Sequence, residues 1–288
     1  MSISAVILSF NARNDLDRCV RSLIKIEGLS APDDQILVID NGSTDGSRRV
    51  IERLIREHPG LVEATFLAAN RGTTAPRNLG FAKARGEHLL VLDSDIQFRE
   101  PILPDLVRQL DADRSIGIVA PRLIFPDGRS QMSTDVFPTI PRKLERAFRL
   151  RALERRRSDD ALPCRPVDYA ISAFWLMRRD LIDRIGPLDE RIFYAPEDVD
   201  FCLRAWLRGQ RVVYRPDLAV VHDAKERSRS LKSLLFTWRH VLGLAYFFKK
   251  HRYAFNADGL YRRIGRLRTD SRPEPVVSAR KLEGGARG

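Results

Sequence analysis

From Ile3 to Val119 the chain alternates short apolar runs with stretches of helical periodicity, and this alternation narrows the possible fold more than any other feature. The strand-like runs are Ile3 to Leu8, Gln35 to Asp40, Leu61 to Leu67, His88 to Leu92 and Ile116 to Val119. Between them Leu16, Val20, Leu23 and Ile24 recur on one helical face, as do Val50, Ile51, Leu54 and Ile55, while residues 73–85 and 101–110 read as two more helices. Strands alternating with helices of about 10–15 residues build βαβ units and a mixed, mainly parallel sheet flanked by helices, an α/β fold. Such sheets bind ligands just beyond the carboxyl ends of their strands. The polar clusters fall there: Ser9-Phe10-Asn11, Asp40-Asn41-Gly42, Asn70-Arg71-Gly72 and Asp93-Ser94-Asp95.

The second half is less regular. From Asp127 to Pro166 the pattern dissolves into turns, prolines and arginines. Val167 to Met177 reads as a strand, Asp198 to Leu207 as a helix, and Arg211 to Tyr214 and Leu218 to His222 as two short strands. Helical spacing returns after Ser228, and beyond Thr269 a polar, proline- and glycine-bearing tail is expected to be disordered.

Asp93 and Asp95 are two carboxylates separated by one residue at the end of an apolar strand, so both can turn toward one cation. Carboxylate oxygens suit Mg²⁺ or Mn²⁺, which in turn hold phosphate oxygens. Asp40, at the tip of its strand, can accept a hydrogen bond from a nucleobase or ribose, whereas Ser43 or Thr44 is expected only to cap the next helix. For Arg77 two readings stay open: a fork that holds the nucleotide or diphosphate, or a pairing with a neighbouring acid. Acids in a first helical turn are favoured by the helix dipole, yet Glu197, Asp198 and Asp200 are more than capping needs. One of them near the cleft can act as general base for an acceptor hydroxyl. His222 follows the apolar run Leu218 to Val221, and the residues alone leave it as a plain hydrogen-bonding group or a ligand.

The net charge of +12 favours anionic partners, such as nucleotides, phospholipid surfaces or phosphate-bearing acceptors. Arginine runs without interleaved aromatic platforms argue against nucleic acid. Leu231, Leu234, Leu235, Trp238, Val241, Leu242, Ala245 and Phe248 recur at helical spacing with Lys232, Arg239, Lys249, Lys250 and Arg252 around them. That helix either packs its apolar face on the main domain or lies in an anionic membrane interface. No stretch reaches the roughly 18 apolar residues a transmembrane helix needs. The N-terminal run lacks a basic leader and a cleavage site, and three cysteines without paired spacing suit a reducing compartment. The expectation is a cytoplasmic protein, on or off the inner face of a membrane.

Taken together and in order, Ser9-Phe10-Asn11, Asp40 to Ser47, Asn70-Arg71-Gly72 with Ala75 to Gly80, Asp93-Ser94-Asp95, Ile185 to Glu190 and Glu197 to Arg204 resemble the successive signatures of family 2 inverting glycosyltransferases. The likeness covers roughly residues 3–223, and the second half resembles the rhamnosyl- and galactofuranosyltransferase-like branch that builds bacterial surface glycans. The resemblance implies a GT-A fold and a metal-dependent transfer of sugar from a nucleoside-diphosphate donor to a saccharide or lipid-linked saccharide acceptor. It implies Ser9, Asn11, Asp40, Asn70, Arg77 and Asp93 at the donor nucleotide, Asp95 and His222 at the metal, Asp198 as base, and Trp175 and Glu197 near sugar and acceptor. It departs from the family at Pro76 and at Asp223-Ala224-Lys225, where relatives often carry alanine and glycine. The implied organisation is a catalytic domain over 1–223, with a nucleotide-sugar half to 121 and an acceptor half from 122, a basic helical extension over 224–268, and the tail. A non-catalytic nucleotide-sugar-binding or scaffold protein on the same fold is the alternative. A nucleotidyltransferase would want a glycine-rich basic loop after the first strand, and Ser9 to Asn14 is not one.

Overall fold

The computed structural model describes residues 2–144, 163–224 and 234–266. Part of the arginine run, the first residues of the C-terminal helical pattern and the whole polar tail lie outside the described residues. The chain forms β1 (Ile3–Ser9), α1 (Arg13–Ile26), β2 (Gln35–Asp40), α2 (Ser47–Glu57), β3 (Val62–Phe66), α3 (Thr74–Lys83), β4 (His88–Asp93), β5 (Ile96–Gln97), α4 (Leu103–Ala112) and β6 (Ile116–Ile124). There follow β7 (Thr134–Asp135), β8 (Arg165–Pro166), β9 (Tyr169–Ala170), β10 (Phe174–Arg178), α5 (Asp180–Ile185), α6 (Glu197–Leu207), β11 (Arg211–His222), α7 (Leu234–His251) and α8 (Asp258–Arg263).

The main sheet has the order β3-β2-β1-β4-β10-β6-β11-β5, with β8 beside β11. β1, β2, β3 and β4 pair in parallel, as do β6 and β11, while β10 runs antiparallel between β4 and β6. Helices cover both faces, as strands buried on both sides require. One face packs Leu16, Leu23, Ile51, Leu54, Leu106 and Leu110 against Ile3, Ile7, Val38 and Leu92. The other packs Phe81, Phe201, Leu203 and Phe247 against Val6, Leu37, Leu89 and Val91. α3 lies hard on β1, because a Cβ on Gly80 would collide with the Val6 side chain.

Three expectations change. The two short strands after Arg211 are one strand, β11, whose register with β6 shifts between Arg215 and Ala219. Pro216, which has no N–H to give, falls in that break. The run from Val167 to Met177 is split, because residues 171–173 turn away from the sheet between β9 and β10. Finally, neither Ser43 nor Thr44 caps α2. The helix begins at Ser47 after Gly46; Ser43 Oγ accepts the Asn11 N–H instead, and Asp45 takes the Ser47 N–H at 3.0 Å.

Candidate active site

β4 delivers Asp93, and the turn after it delivers Asp95. The short β5, which sequence periodicity does not reveal, pairs antiparallel with the end of β11 and sets His222 opposite Ile96. The Asp223 N–H closes the register by donating to the Asp95 carbonyl at 3.0 Å. As a result His222 Nε2 lies 3.3 Å from Asp95 Oδ1. The imidazole is oriented from behind: Nδ1 is 2.8 Å from Gln131 Oε1, and Gln131 Nε2 donates to the His222 carbonyl at 2.7 Å. One ligand atom each from Asp93, Asp95 and His222 falls within 4.8 Å of the others. Two carboxylates and an oriented imidazole at that spacing fit a divalent cation. Burial alone would lower the His222 pKa, but the hydrogen bond and charge of Asp95 raise it above its ordinary value.

The opposite wall is the first turn of α6. Glu197 is buried there and Asp198 half-buried. Arg77, from α3, ties the two walls together. Its guanidinium, only 2% exposed, donates to Asp93 Oδ1 at 2.6 Å, to Glu197 Oε1 at 3.2 Å and to the Ser172 carbonyl at 3.3 Å. Of the two sequence readings of this arginine, the structure displays the pairing with acids. Burial pushes the Asp93 carboxyl up, with Arg77 opposing and Asp95 adding to the rise. Asp198 is pushed up to about 7, by burial first and by the charge of Glu197 second, against the Val199 N–H, Lys143 and Arg77.

Between the walls lies a cavity of about 420 Å³, within the range of small-molecule sites, about 300–1,000 Å³. Asp93, Asp95, Arg77, Glu197, Asp198 and His222 all line it. Acids from distant stretches of chain therefore face one cleft rather than separate crevices.

The remaining expected residues sort differently. Ser9 and Asp40 stand opposite each other across β1 and β2. Both are buried and neither lines the cavity; among the described residues Ser9 Oγ and Asp40 Oδ1 have no hydrogen-bond partner, a condition that calls for an explanation in a folded protein. Asn11 adopts φ 50° and its Oδ1 accepts the Thr44 N–H at 2.8 Å. Asn70 is exposed and its Oδ1 accepts the Gly72 N–H at 2.9 Å; both asparagines thus shape turns. Trp175 does not line the cleft. It is fully buried on β10, stacked on Phe201 at 5.3 Å, with its indole N–H on the Ala170 carbonyl. A strand covered on both faces turns its largest side chain into the core.

Other residues at or behind the cleft lie outside the expected set. Gln131, behind His222, sits in a stretch that reads as mere turns. Asp15 lines the cavity from the first turn of α1, Phe10 from the β1–α1 connection and Tyr194 from the loop before α6. That loop is fixed by the α3 segment: Asn78 exchanges hydrogen bonds with Leu188, and Thr74 Oγ1 donates to the Ile192 carbonyl at 2.8 Å.

Residues 4–186 match the family described as Glycosyl transferase family 2. Over 257 residues, 81% of this chain and 67% of the relative, the sequence is 24% identical to a cholesterol galactosyltransferase of Borreliella burgdorferi. Over 119 residues, 41% of this chain and 36% of the relative, it is 32% identical to an uncharacterized glycosyltransferase of Nostoc sp.. The chain thus spans from about a third to two thirds of the length of these relatives. Among solved structures, a mannosyltransferase from Pyrobaculum calidifontis in complex with GDP-Man and Mn²⁺ superposes with a TM-score of 0.61 at 18% identity, covering 91% of this chain and 67% of that one. This likeness establishes the GT-A architecture.

Proposed function

Because the chain belongs to glycosyl transferase family 2, we propose that it moves a sugar from a nucleoside-diphosphate donor to an acceptor hydroxyl with inversion at the anomeric carbon. The observation that carries this reading is the single cleft into which Asp93, Asp95, Glu197, Asp198 and His222 all project. Asp198 takes the proton of the acceptor hydroxyl as its oxygen attacks the anomeric carbon. The bond to the diphosphate breaks with its electron pair, and no covalent enzyme intermediate is required. A carboxyl with a pKa of about 7 suits proton transfer near neutral pH. Asp93, Asp95 and His222 would hold a Mg²⁺ or Mn²⁺ ion, whose positive charge neutralises the departing diphosphate. Asp40, at the tip of β2, would accept a hydrogen bond from the nucleoside. Arg77 fixes Asp93 and Glu197 relative to each other, and Glu197 borders the sugar.

Thermal denaturation against a panel of nucleotide sugars, with and without Mn²⁺ or Mg²⁺, tests the reading. One donor should raise Tm by several degrees only when metal is present. A panel with no metal-dependent shift would remove donor binding from the account.

The acceptor in this reading is a saccharide or lipid-linked saccharide destined for a cell-surface glycan, met at the cytoplasmic face of a membrane. No helix among the described residues is long and apolar enough to cross a bilayer. Instead α7 leaves Trp238, 60% exposed, with Val241, Leu242 and Ala245 in one outward stripe. Exposed Lys249, Arg252, Arg262 and Arg263 lie further along the chain, and this pairing of a Trp-bearing apolar stripe with basic residues suits anionic lipid. The protein should float with liposomes containing anionic phospholipid and not with neutral ones, and Trp238→Glu with Leu242→Glu should abolish flotation. Retained flotation in that double variant, or self-association through the stripe, would assign the surface elsewhere.

A further inference from the structure

α7 meets the rest of the protein through a stripe that hydrophobic periodicity does not pick out. Arg239 lies over the Phe193 ring, 3.9 Å from its centroid. A Cβ on Gly243 would stand 2.5 Å from the Ala195 carbonyl oxygen, so the helix backbone rests directly on the loop there. The Tyr246 hydroxyl donates to Asp189 Oδ2 at 2.8 Å. Lys250 Nζ reaches Asp189 Oδ2 at 2.8 Å and Asp200 Oδ1 at 2.7 Å. Residues spaced by four, three and four fall on one side of a helix, and every one of these contacts lies between Asp189 and Asp200. That is the segment carrying Glu197 and Asp198.

Lys250 stands astride it, with one carboxylate at its start and the other just past Asp198. Asp200 is fully buried and takes further bonds from His251 Nε2 at 2.8 Å and Arg204 Nε at 2.9 Å. Burial would raise the Asp200 carboxyl, but His251, Arg204 and Lys250 hold it down at about 2; it stays ionised and binds the helix at any ordinary pH. The loop needs such support: Ala195 adopts φ 37°, a left-handed conformation costly for a residue with a Cβ. Anchoring to the core is a separate matter, served by Phe247 on the neighbouring face.

We propose that α7 is a positioning element of the active site, in which Lys250, Gly243 and Arg239 hold the Asp189–Asp200 segment so that the Asp198 carboxylate meets the reacting hydroxyl. The proposal rests on the reading of Asp198 as base. Among the described residues, the titratable groups facing Asp198 are Glu197 and Cys202 on its own helix, Tyr194 from the loop before it, Arg77 from α3 and Lys143 from the helical turn at residues 140–144, while His240 of α7 faces Glu197 and Lys143. Lys250 bonds to Asp189 and Asp200 instead, so its effect on Asp198 travels through the position of the loop.

Lys250→Met in the full chain tests this, with metal-supported hydrolysis of the nucleotide sugar selected by thermal shift as the assay. The expected result is a kcat lower by about 10- to 100-fold with donor KM unchanged, substantial rescue by Lys250→Arg, and a pH profile whose acid limb moves to lower pH as Asp198 gains access to water. Arg239→Met should show the same signature more weakly, and it decides the matter if Lys250→Met fails to fold. Variants that fold, melt earlier and keep wild-type kcat and pH profile would overturn the proposal and leave α7 a structural cap. A wild-type protein that turns over no donor with metal would instead strike the glycosyltransfer reading itself.

Discussion

Asp198→Asn should lower kcat by about 10²–10⁴-fold while donor binding stays nearly intact. The amide keeps the shape and the Val199 N–H contact of the carboxylate, so the cleft is preserved and only proton acceptance is lost. Steady-state turnover with titration calorimetry of the donor separates the two effects, and unchanged turnover would remove Asp198 from the role. The wild-type profile adds a second reading. The base works when deprotonated, so activity should fall as pH drops through about 7. Stability runs the other way. A carboxyl whose folded-state pKa lies above its unfolded value keeps its proton longer in the native state, so its cost to the fold grows as pH rises from the ordinary carboxylate range to about 7. The asparagine variant escapes that cost, and its Tm should exceed the wild-type value by more at pH 8 than at pH 5. Activity and stability should thus move in opposite directions at this position.

Asp95→Ala should abolish the metal-dependent part of donor binding, a loss of at least about 100-fold. Asp95 is adjacent to both other candidate ligands in space, 3.3 Å from His222 and with a carboxylate oxygen within 4.8 Å of one from Asp93. Its removal leaves one carboxylate, already engaged by Arg77, and one imidazole, a set too weak in charge for a hard cation. Calorimetric titration of the selected donor with Mn²⁺ present and absent would measure it. Equal affinity in both conditions for the variant, against a large difference for wild type, is the expected outcome; a normal metal-dependent isotherm would refute the assignment. Donor binding that survives without metal would measure how much the nucleoside end contributes.

Two residues of this cleft legible in the sequence, Asp93 and His222, sit where a strongly apolar strand stops, and in a parallel sheet the carboxyl ends converge on one edge. Asp198 was legible because three acids open one helix. What stayed hidden depends on contacts that periodicity does not encode. β5 is two residues long and exists through pairing with β11, yet it is what brings His222 to Asp95. Gln131 was lost in a segment of turns. Trp175 lies in the core and not at the cleft, because an apolar strand says nothing of which large side chain reaches a ligand when both faces are covered. Of the apolar residues at helical spacing in α7, Phe248 packs on the core, whereas Trp238, Val241, Leu242 and Ala245 point outward. The docked stripe runs through Gly243 and charged residues, since close approach of two backbones selects for a missing side chain, not an oily one.

That reversal bears on where a working enzyme could be cut. A fragment ending at residue 223 would keep every acid of the cleft and still lose the brace under its base, along with Phe247, Leu260 and Tyr261 from the core beneath the sheet. The outward stripe and the inward one share no residue, so drift or engineering could retarget the helix to a different surface while the chemistry beneath it goes on undisturbed.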